Sequence, residues 1–307
     1  MIKQITVTNY LGDSIKIVLR EPEQSGFLIS SITGLGPAKA NINNTEVSTN
    51  DGALFNSARL NPRNIVINMI FEETVYGEGI EDLRQKSYKY FPIKKSLTLL
   101  IETDNRIVRT VGYVEANEPN IFNEREATQI SIICPDPYLY SAGPNGNNTT
   151  VFYGIEPSFE FPFSNESFDE KLIIFGKIQN KTENIINYQG DAEIGIIINI
   201  HAIGPVSNVV IYNTRTRDSM RIDTDKLEAL TGSGIIVGDD IIVDTSKGSK
   251  SVTLIRNGRS TNILNCLDKN TDWFTLAKGD NIFAFTAEAG VTNLQFWINN
   301  KTIYEGV

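Results

Sequence analysis

Apolar and polar side chains alternate along most of this chain. "MIKQITVTNYLGDSIKIVL" (1–19) reads as two strands around a Gly-Asp turn, because successive residues of a strand face opposite ways and one face alone needs to be apolar. "RNIVINMIFEE" (63–73), "SLTLLIET" (96–103), "RIVRTVGYVEANEP" (106–119) and "EATQISIIC" (126–134) repeat the pattern, with Asp104-Asn105 as a tight turn. One segment changes period. "GIEDLRQKSYKYF" (79–91) places Ile80, Leu83, Tyr88 and Phe91 at roughly helical spacing, with Glu81 and Asp82 at its start and Pro92 beyond its end, and predicts a helix that lays an apolar stripe on the sheet. Residues 21–63 hold no sustained period. They are punctuated by Gly26, Gly34, Gly36, Pro37, Gly52 and Pro62, and read as a long irregular interaction arm.

"PDPYLYSAGPNGNN" (135–148) is dense in turn formers and marks a domain boundary, with residues 1–140 on one side and 141–307 on the other. Beyond it, short strands are expected at 184–189, 191–202, 206–213, 220–223, 235–244, 251–256, 259–265, 273–276, 281–287 and 292–300. Many short strands without βα alternation predict a two-sheet antiparallel sandwich or jelly roll.

The length of 307 residues fits two such domains, and 40% hydrophobic residues supply their cores. The net charge of −9 argues against a free-standing nucleic-acid binder, whose affinity comes from neutralising phosphates. Two cysteines, Cys134 and Cys266, make neither a disulfide framework nor a metal knuckle; both read as buried thiols of a reducing compartment. The start has no apolar core of a signal peptide, and no apolar run has membrane-spanning length, which predicts no membrane insertion.

Catalytic chemistry finds little to work with. Gly248-Ser249-Lys250-Ser251 imitates the end of a phosphate loop, but Ser249 and Asp244 stand where that loop requires glycines, and a strand follows instead of a helix. Arg256-Asn257-Gly258-Arg259 then reads as a hairpin turn. His201 is the single histidine and lies in an apolar strand, so neither a metal site nor a Ser-His-Asp set is expected. Glu72-Glu73, Glu124 with Glu126, and Asp239-Asp240 read as solvated turns. A glycosidase carboxylate pair is the enzymatic alternative. Phe159, Phe161, Phe163 and Phe168 read as packing residues, with a sugar platform as the alternative; Trp273-Phe274 and Trp297 read as sandwich core. No catalytic residue, cofactor or metal is predicted.

The stretch "GDDIIVDTSKGSKSVTLIRNGRSTNILNCLDKNTDWFTLAKGDNIFAFTAE" (238–288) resembles the C-terminal domain of bacteriophage distal tail proteins. It has a Gly-Asp-x-Ile strand, an Asp-Thr and Lys-containing turn, an Asn-Gly hairpin, an Asp-Trp-Phe-x-Leu run and a closing Gly-Asp-Asn turn. "YQGDAEIGIIINIHAIGPVSNVVIYN" (188–213) is similar to the strands that precede it. "ITGLGPAKANIN" (32–43), "DGALFNSARLNPRNIVINMIF" (51–71), "YKYFPIKKSLTLLIETDNRIVRTVGYVE" (88–115) and "ISIICPDPYLYS" (130–141) resemble the ring-forming domain of the same family. The resemblance implies a mainly β protein: an N-terminal β-sandwich-like ring (belt) domain with one helix and a long arm, and a C-terminal galectin-like sandwich. It implies a non-enzymatic virion component, made in the host cytoplasm and built into the tail tip as a hexameric ring. Such a ring joins the tail tube to the hub or tail-associated lysin, contacts the tape measure, and docks receptor-binding or baseplate proteins. DNA passes through an acidic lumen without specific binding. On this reading Gly34, Leu35, Gly36, Pro37, Asp51, Phe55 and Arg63 belong to the assembly interface, and Pro135, Asp136, Pro137 and Tyr138 form a stiff interdomain joint. A carbohydrate-binding adhesin module that recognises host cell-wall glycans is the alternative.

Overall fold

The structure, a computed structural model, describes residues 1–46, 51–122, 125–144, 146–157 and 176–307. The chain divides into two units, Met1–Gly146 together with Ile303–Val307, and Asn147–Thr302. The division falls after Gly146, not after residue 140, and the C-terminal residues return to the first unit.

In the first unit the order is β1 (Ile2–Asn9), β2 (Ser14–Val18), α1 (Pro22–Ser25), β3 (Phe27–Thr33), β4 (Ala40–Glu46), β5 (Ala53–Leu60), β6 (Arg63–Phe71), α2 (Ile80–Tyr90), β7 (Ser96–Thr103), β8 (Ile107–Asn120), β9 (Ala127–Cys134) and β10 (Leu139–Ser141). Nine strands form one antiparallel sheet: seven run in the order β2-β1-β7-β8-β9-β6-β3, and β10 pairs with β8 and with the chain's last strand. The alternation seen in the sequence is the alternation of burial. On β6, Ile65, Ile67 and Met69 are buried while Asn64 is exposed and Val66 and Asn68 are half-buried. Inward residues of the sheet join Leu83 and Phe91, from α2 and its C-terminal end, in one core. Tyr88, expected in the apolar stripe of α2, points outward instead; Ser87 takes the buried position and donates back to the Arg84 carbonyl at 2.7 Å.

Residues 21–63 are more regular than their composition predicts. They contain β3, which pairs with β6, and β4–β5, an antiparallel hairpin that forms a two-stranded sheet of its own. Turn formers hid these strands because a local window cannot see the partner that supplies the hydrogen bonds.

The second unit contains β11 (Asn147–Val151), β12 (Tyr153–Pro157), β13 (Gly176–Asn180), β14 (Glu183–Tyr188), β15 (Ile194–Gly195), β16 (Ile197–Ala202), β17 (Ser207–Asn213), β18 (Ser219–Ile222), α3 (Thr224–Thr231), β19 (Asp240–Asp244), β20 (Ser251–Arg256), β21 (Arg259–Asn262), β22 (Thr275–Leu276), β23 (Gly279–Ala289) and β24 (Leu294–Lys301); β25 (Ile303–Tyr304) then belongs to the first unit. A six-stranded sheet, β11-β24-β16-β19-β20-β21, and a four-stranded sheet, β14-β23-β17-β18, make the expected sandwich. Phe296 of the first stacks on Phe285 of the second with ring centroids 4.8 Å apart, and Phe152 meets Phe296 edge-on at 4.8 Å. The Asn-Gly hairpin is present: Asn257 and Gly258 both have positive φ, as a two-residue hairpin turn requires.

Three expectations for this unit are corrected. α3, like the short α1, is a helix beyond the one expected at α2; its signals were in the sequence, since Asp223 caps it by accepting from the backbone N–H groups of Asp225 and Lys226, and Gly232 ends it in the left-handed conformation. The pair Asp239-Asp240 is not a solvated turn. Asp239 is buried and takes a two-pronged bond from Arg256 at 2.7 and 2.6 Å, while Asp240 lies on the outer face of the sheet. Of the aromatic residues assigned to the core, Phe274 is fully buried but Trp273 and Trp297 are half-exposed. Phe159, Phe161, Phe163, Phe168 and Glu124 lie outside the described residues. Both cysteines are free and buried.

Candidate assembly site

The β4–β5 hairpin projects from the first unit with every residue of β4, and all of β5 but its last, exposed. Its register assigns the two faces. Ala40 stands opposite Leu60, Ile42 opposite Ala58 and Asn44 opposite Phe55, which puts Ala40, Ile42, Phe55, Ala58 and Leu60 on one face. Asn41 opposite Arg59, Asn43 opposite Ser57 and Thr45 opposite Leu54 fill the other, which is polar but for Leu54 and where Asn56 also donates to the Thr45 hydroxyl at 2.6 Å. A bulge between Asn43 and Asn44 keeps this sorting in phase across the hairpin. The arm is therefore amphipathic, and its apolar face stands open: Ile42 is 58% and Phe55 66% exposed.

At the arm's root the chain is held rigidly. Arg63 opens β6 and is 2% exposed. Its guanidinium donates to the carbonyls of Gly34 (2.6 Å), Gly36 (2.5 Å), Pro137 (2.9 and 2.7 Å) and Glu305 (2.6 Å). Four carbonyls from three chain segments meet on one planar fork, a geometry that arginine supports and lysine does not. Burial lowers the guanidinium pKa, against the opposing influence of Cys134 and Asp136; arginine starts high enough to stay charged. The Cys134 thiol beside it is pushed up, first by its own burial. Gly34 sits at φ +83°, with Asn64 O where a Cβ would come within 1.9 Å.

The proline segment is also tied in. Tyr138 N–H donates to Asp136 Oδ1 at 3.0 Å and the Tyr140 hydroxyl to Asp136 Oδ2 at 2.6 Å. Burial, then that hydrogen bond to the carboxylate, pushes the Tyr140 phenol pKa up. β10 pairs with both β8 and β25. Pro135, Asp136, Pro137 and Tyr138 thus lie within the first unit, ahead of the division at Gly146.

Of the residues assigned to assembly, Asp51 and Phe55 are exposed on or beside the arm. Gly34, Gly36 and Pro37 are exposed at its root, where the two glycine carbonyls serve Arg63. Leu35 and Arg63 are interior, so they support the arm from behind instead of meeting a partner. Ile42, Ala58 and Leu60 escaped the sequence reading; the alternation Ala40-x-Ile42 and Ala58-x-Leu60 was the available signal. Among the described residues no group of three or more His, Cys, Asp and Glu side chains is placed to hold a metal ion, and no helix is long and apolar enough to cross a membrane.

Residues 189–297 match the family model described as the siphovirus-type tail component, C-terminal domain. Among solved structures the chain is similar to the SPP1 Dit protein, described as a paradigm of hub adsorption apparatus in Gram-positive infecting phages. The TM-score is 0.64 at 12% identity, over 97% of this chain and 98% of that one. A chain of the phage P2 baseplate in its activated conformation with Ca aligns at TM-score 0.43 and 12% identity, over 98% of this chain and 99% of that one, too loosely to carry an argument. A comparison with curated proteins returns no match. At 12% identity the likeness to SPP1 Dit is one of fold.

Proposed function

From the premise that residues 189–297 form a siphovirus-type tail component C-terminal domain, we propose that this chain is a phage distal tail (baseplate hub) protein. It assembles as a closed hexameric ring at the distal end of the virion tail, joins the tail tube to the hub or tail-associated lysin, and docks baseplate or receptor-binding proteins. The role is structural and calls for no catalytic residue. The observation that carries the assembly step is the bare amphipathic hairpin. A two-stranded hairpin is marginal on its own in water. This one carries most of its apolar residues on a single face that is left open among the described residues, so a neighbouring copy is the natural cover. An arm that reaches a different surface of the next copy makes a head-to-tail contact, and such contacts form a ring when the rotation between copies closes. The net charge of −9 per subunit makes the assembled ring strongly acidic and suits a passage through which DNA slides without sticking.

Native mass spectrometry of the full chain, with negative-stain images of the same sample, tests this reading. The unmodified chain is expected as open-centred rings, and the Ile42→Glu/Phe55→Glu variant as monomers with an unchanged Tm. Rings that persist in the variant would remove the arm from the interface. A chain that stays monomeric alone and when mixed with its tail tube protein would sink the ring.

A further inference from the structure

Trp297 stands on the outside of the second unit. Its neighbours on β24, Phe296 and Ile298, are fully buried, so the strand's alternation turns the indole to the opposite face of the six-stranded sheet, where it is half-buried. The register defines its surroundings. Asn199 of β16 lies directly opposite. Two positions along β24 in one direction is Gln295, opposite His201, which is in turn opposite Asp240 on β19. Two positions the other way is Asn299. Facing Cβ atoms on paired strands are about 5 Å apart and diagonal ones about 7–8 Å, so these six side chains share a patch the size of one or two sugar rings.

The patch is preorganised. His201 Nδ1 and Asp240 Oδ1 are 2.6 Å apart, which fixes the imidazole and leaves Nε2 for another partner. Asn199 is half-buried beside the indole, and its side-chain nitrogen has no hydrogen-bond partner among the described residues. An indole face offers an apolar platform for the C–H face of a pyranose, and amides, imidazole and carboxylate offer both donors and acceptors for its hydroxyls. The six residues include no Lys or Arg, and Asp240 repels an anion, so the chemistry selects a neutral sugar over an acidic or phosphorylated one.

We propose that the outer face of the six-stranded sheet, centred on Trp297, binds a neutral saccharide. This inference does not depend on the ring, because the patch lies within one copy of the second unit.

The test uses the full chain carrying Trp273→Phe, so that Trp297 is the remaining tryptophan and its emission reports the patch. Galactose, glucose, rhamnose, N-acetylglucosamine and their disaccharides are titrated, with sialic acid as the anionic control. At least one neutral sugar is expected to give a saturable change with Kd on the order of 1 mM, and sialic acid none. Asn199→Ala and Asp240→Asn should each weaken that binding at least ~10-fold, the step that ~1.4 kcal/mol represents. Saturation-transfer NMR on the unmodified chain gives a readout without the Trp273 change. There Trp297→Ala should lose the sugar signal and Trp297→Phe keep it, with circular dichroism confirming that each variant is folded. No saturable response to any neutral sugar in either experiment overturns the proposal, as does binding that survives Trp297→Ala combined with Asn199→Ala. A tail protein captured through this face, with no sugar response, would make it a protein dock instead. Oligomeric state enters none of these readouts, so a failure here is distinct from a failure of the ring.

Discussion

Arg63 reaches across 242 positions of sequence to donate a hydrogen bond to the carbonyl of Glu305 at 2.6 Å. The first unit is thus completed by the end of the chain. β25 pairs with β10, Ile303 is buried, Val307 N–H donates to Leu35 O at 3.2 Å, and Arg106 stacks on Tyr304 at 4.1 Å while donating to Gly306 O. Removing a buried charged donor strands the carbonyls it served, at a cost of about 3–5 kcal/mol. Arg63→Ala is expected to lower urea-unfolding stability by that amount. Deletion of residues 303–307 should also destabilise, and the double variant should fall well short of the sum. Strict additivity would separate Arg63 from the tail.

Gly34 and Gly36 both offer carbonyls to Arg63 but differ in tolerance. Gly34 has positive φ and a backbone oxygen inside the space of a Cβ; Gly36 has nothing within 4 Å of that space. Gly34→Ala is expected to cost about 1–3 kcal/mol from backbone strain alone, and Gly36→Ala almost nothing. Thermal melts of the two variants side by side check this, and equal melting points would contradict it.

Asp239 and Asp240 adjoin in sequence and part company in the fold. Asp239, 1% exposed, clamps Arg256, which also donates to Ser233 Oγ and Gly234 O at 2.6 Å and so closes the loop between α3 and β19. Asp239→Asn should destabilise by about 3–5 kcal/mol, because it leaves a shielded guanidinium without its counter-charge. Asp240→Asn should leave chemical denaturation unchanged. A reversal of these two results would contradict the assignment.

Asp223 caps α3, and its carboxyl pKa is held below the ordinary value, chiefly by the backbone N–H of Lys226. A depressed folded-state pKa means that the carboxylate stabilises the helix above the unfolded value of about 3.9, and that this support fades as pH falls through the lower folded value. Protection of the α3 amides, measured relative to their intrinsic exchange rates, should therefore fall below about pH 4 in the natural protein. Asn also caps helices and does not titrate, so Asp223→Asn should flatten that dependence. An unchanged acid profile in the variant would show that another group governs it.

Strand alternation in 63–73, 96–103 and 126–134, the helix near 79–91, the Asn-Gly hairpin and the sandwich class were all legible, because each rests on local period or on turn residues a few positions apart. α3 was legible too: an Asp cap and a closing Gly stand in "DTDKLEALTG", and a strand pattern on either side obscured them. The candidate site was half visible. Its glycines and Phe55 announced an exposed arm, while the apolar face of that arm required the register, which a bulge sets.

What the sequence determined by itself was therefore the β class, the face that each strand buries and the places where the chain turns, since all of these follow from backbone geometry over a few residues. The tertiary structure alone decided that Arg63 is interior and bound to the chain's far end, that the last strand belongs to the first unit, and that Trp297 faces out while Phe296 faces in. Those outcomes depend on which strands pair and which face meets the core. Such contacts join residues hundreds of positions apart, and no local period records them.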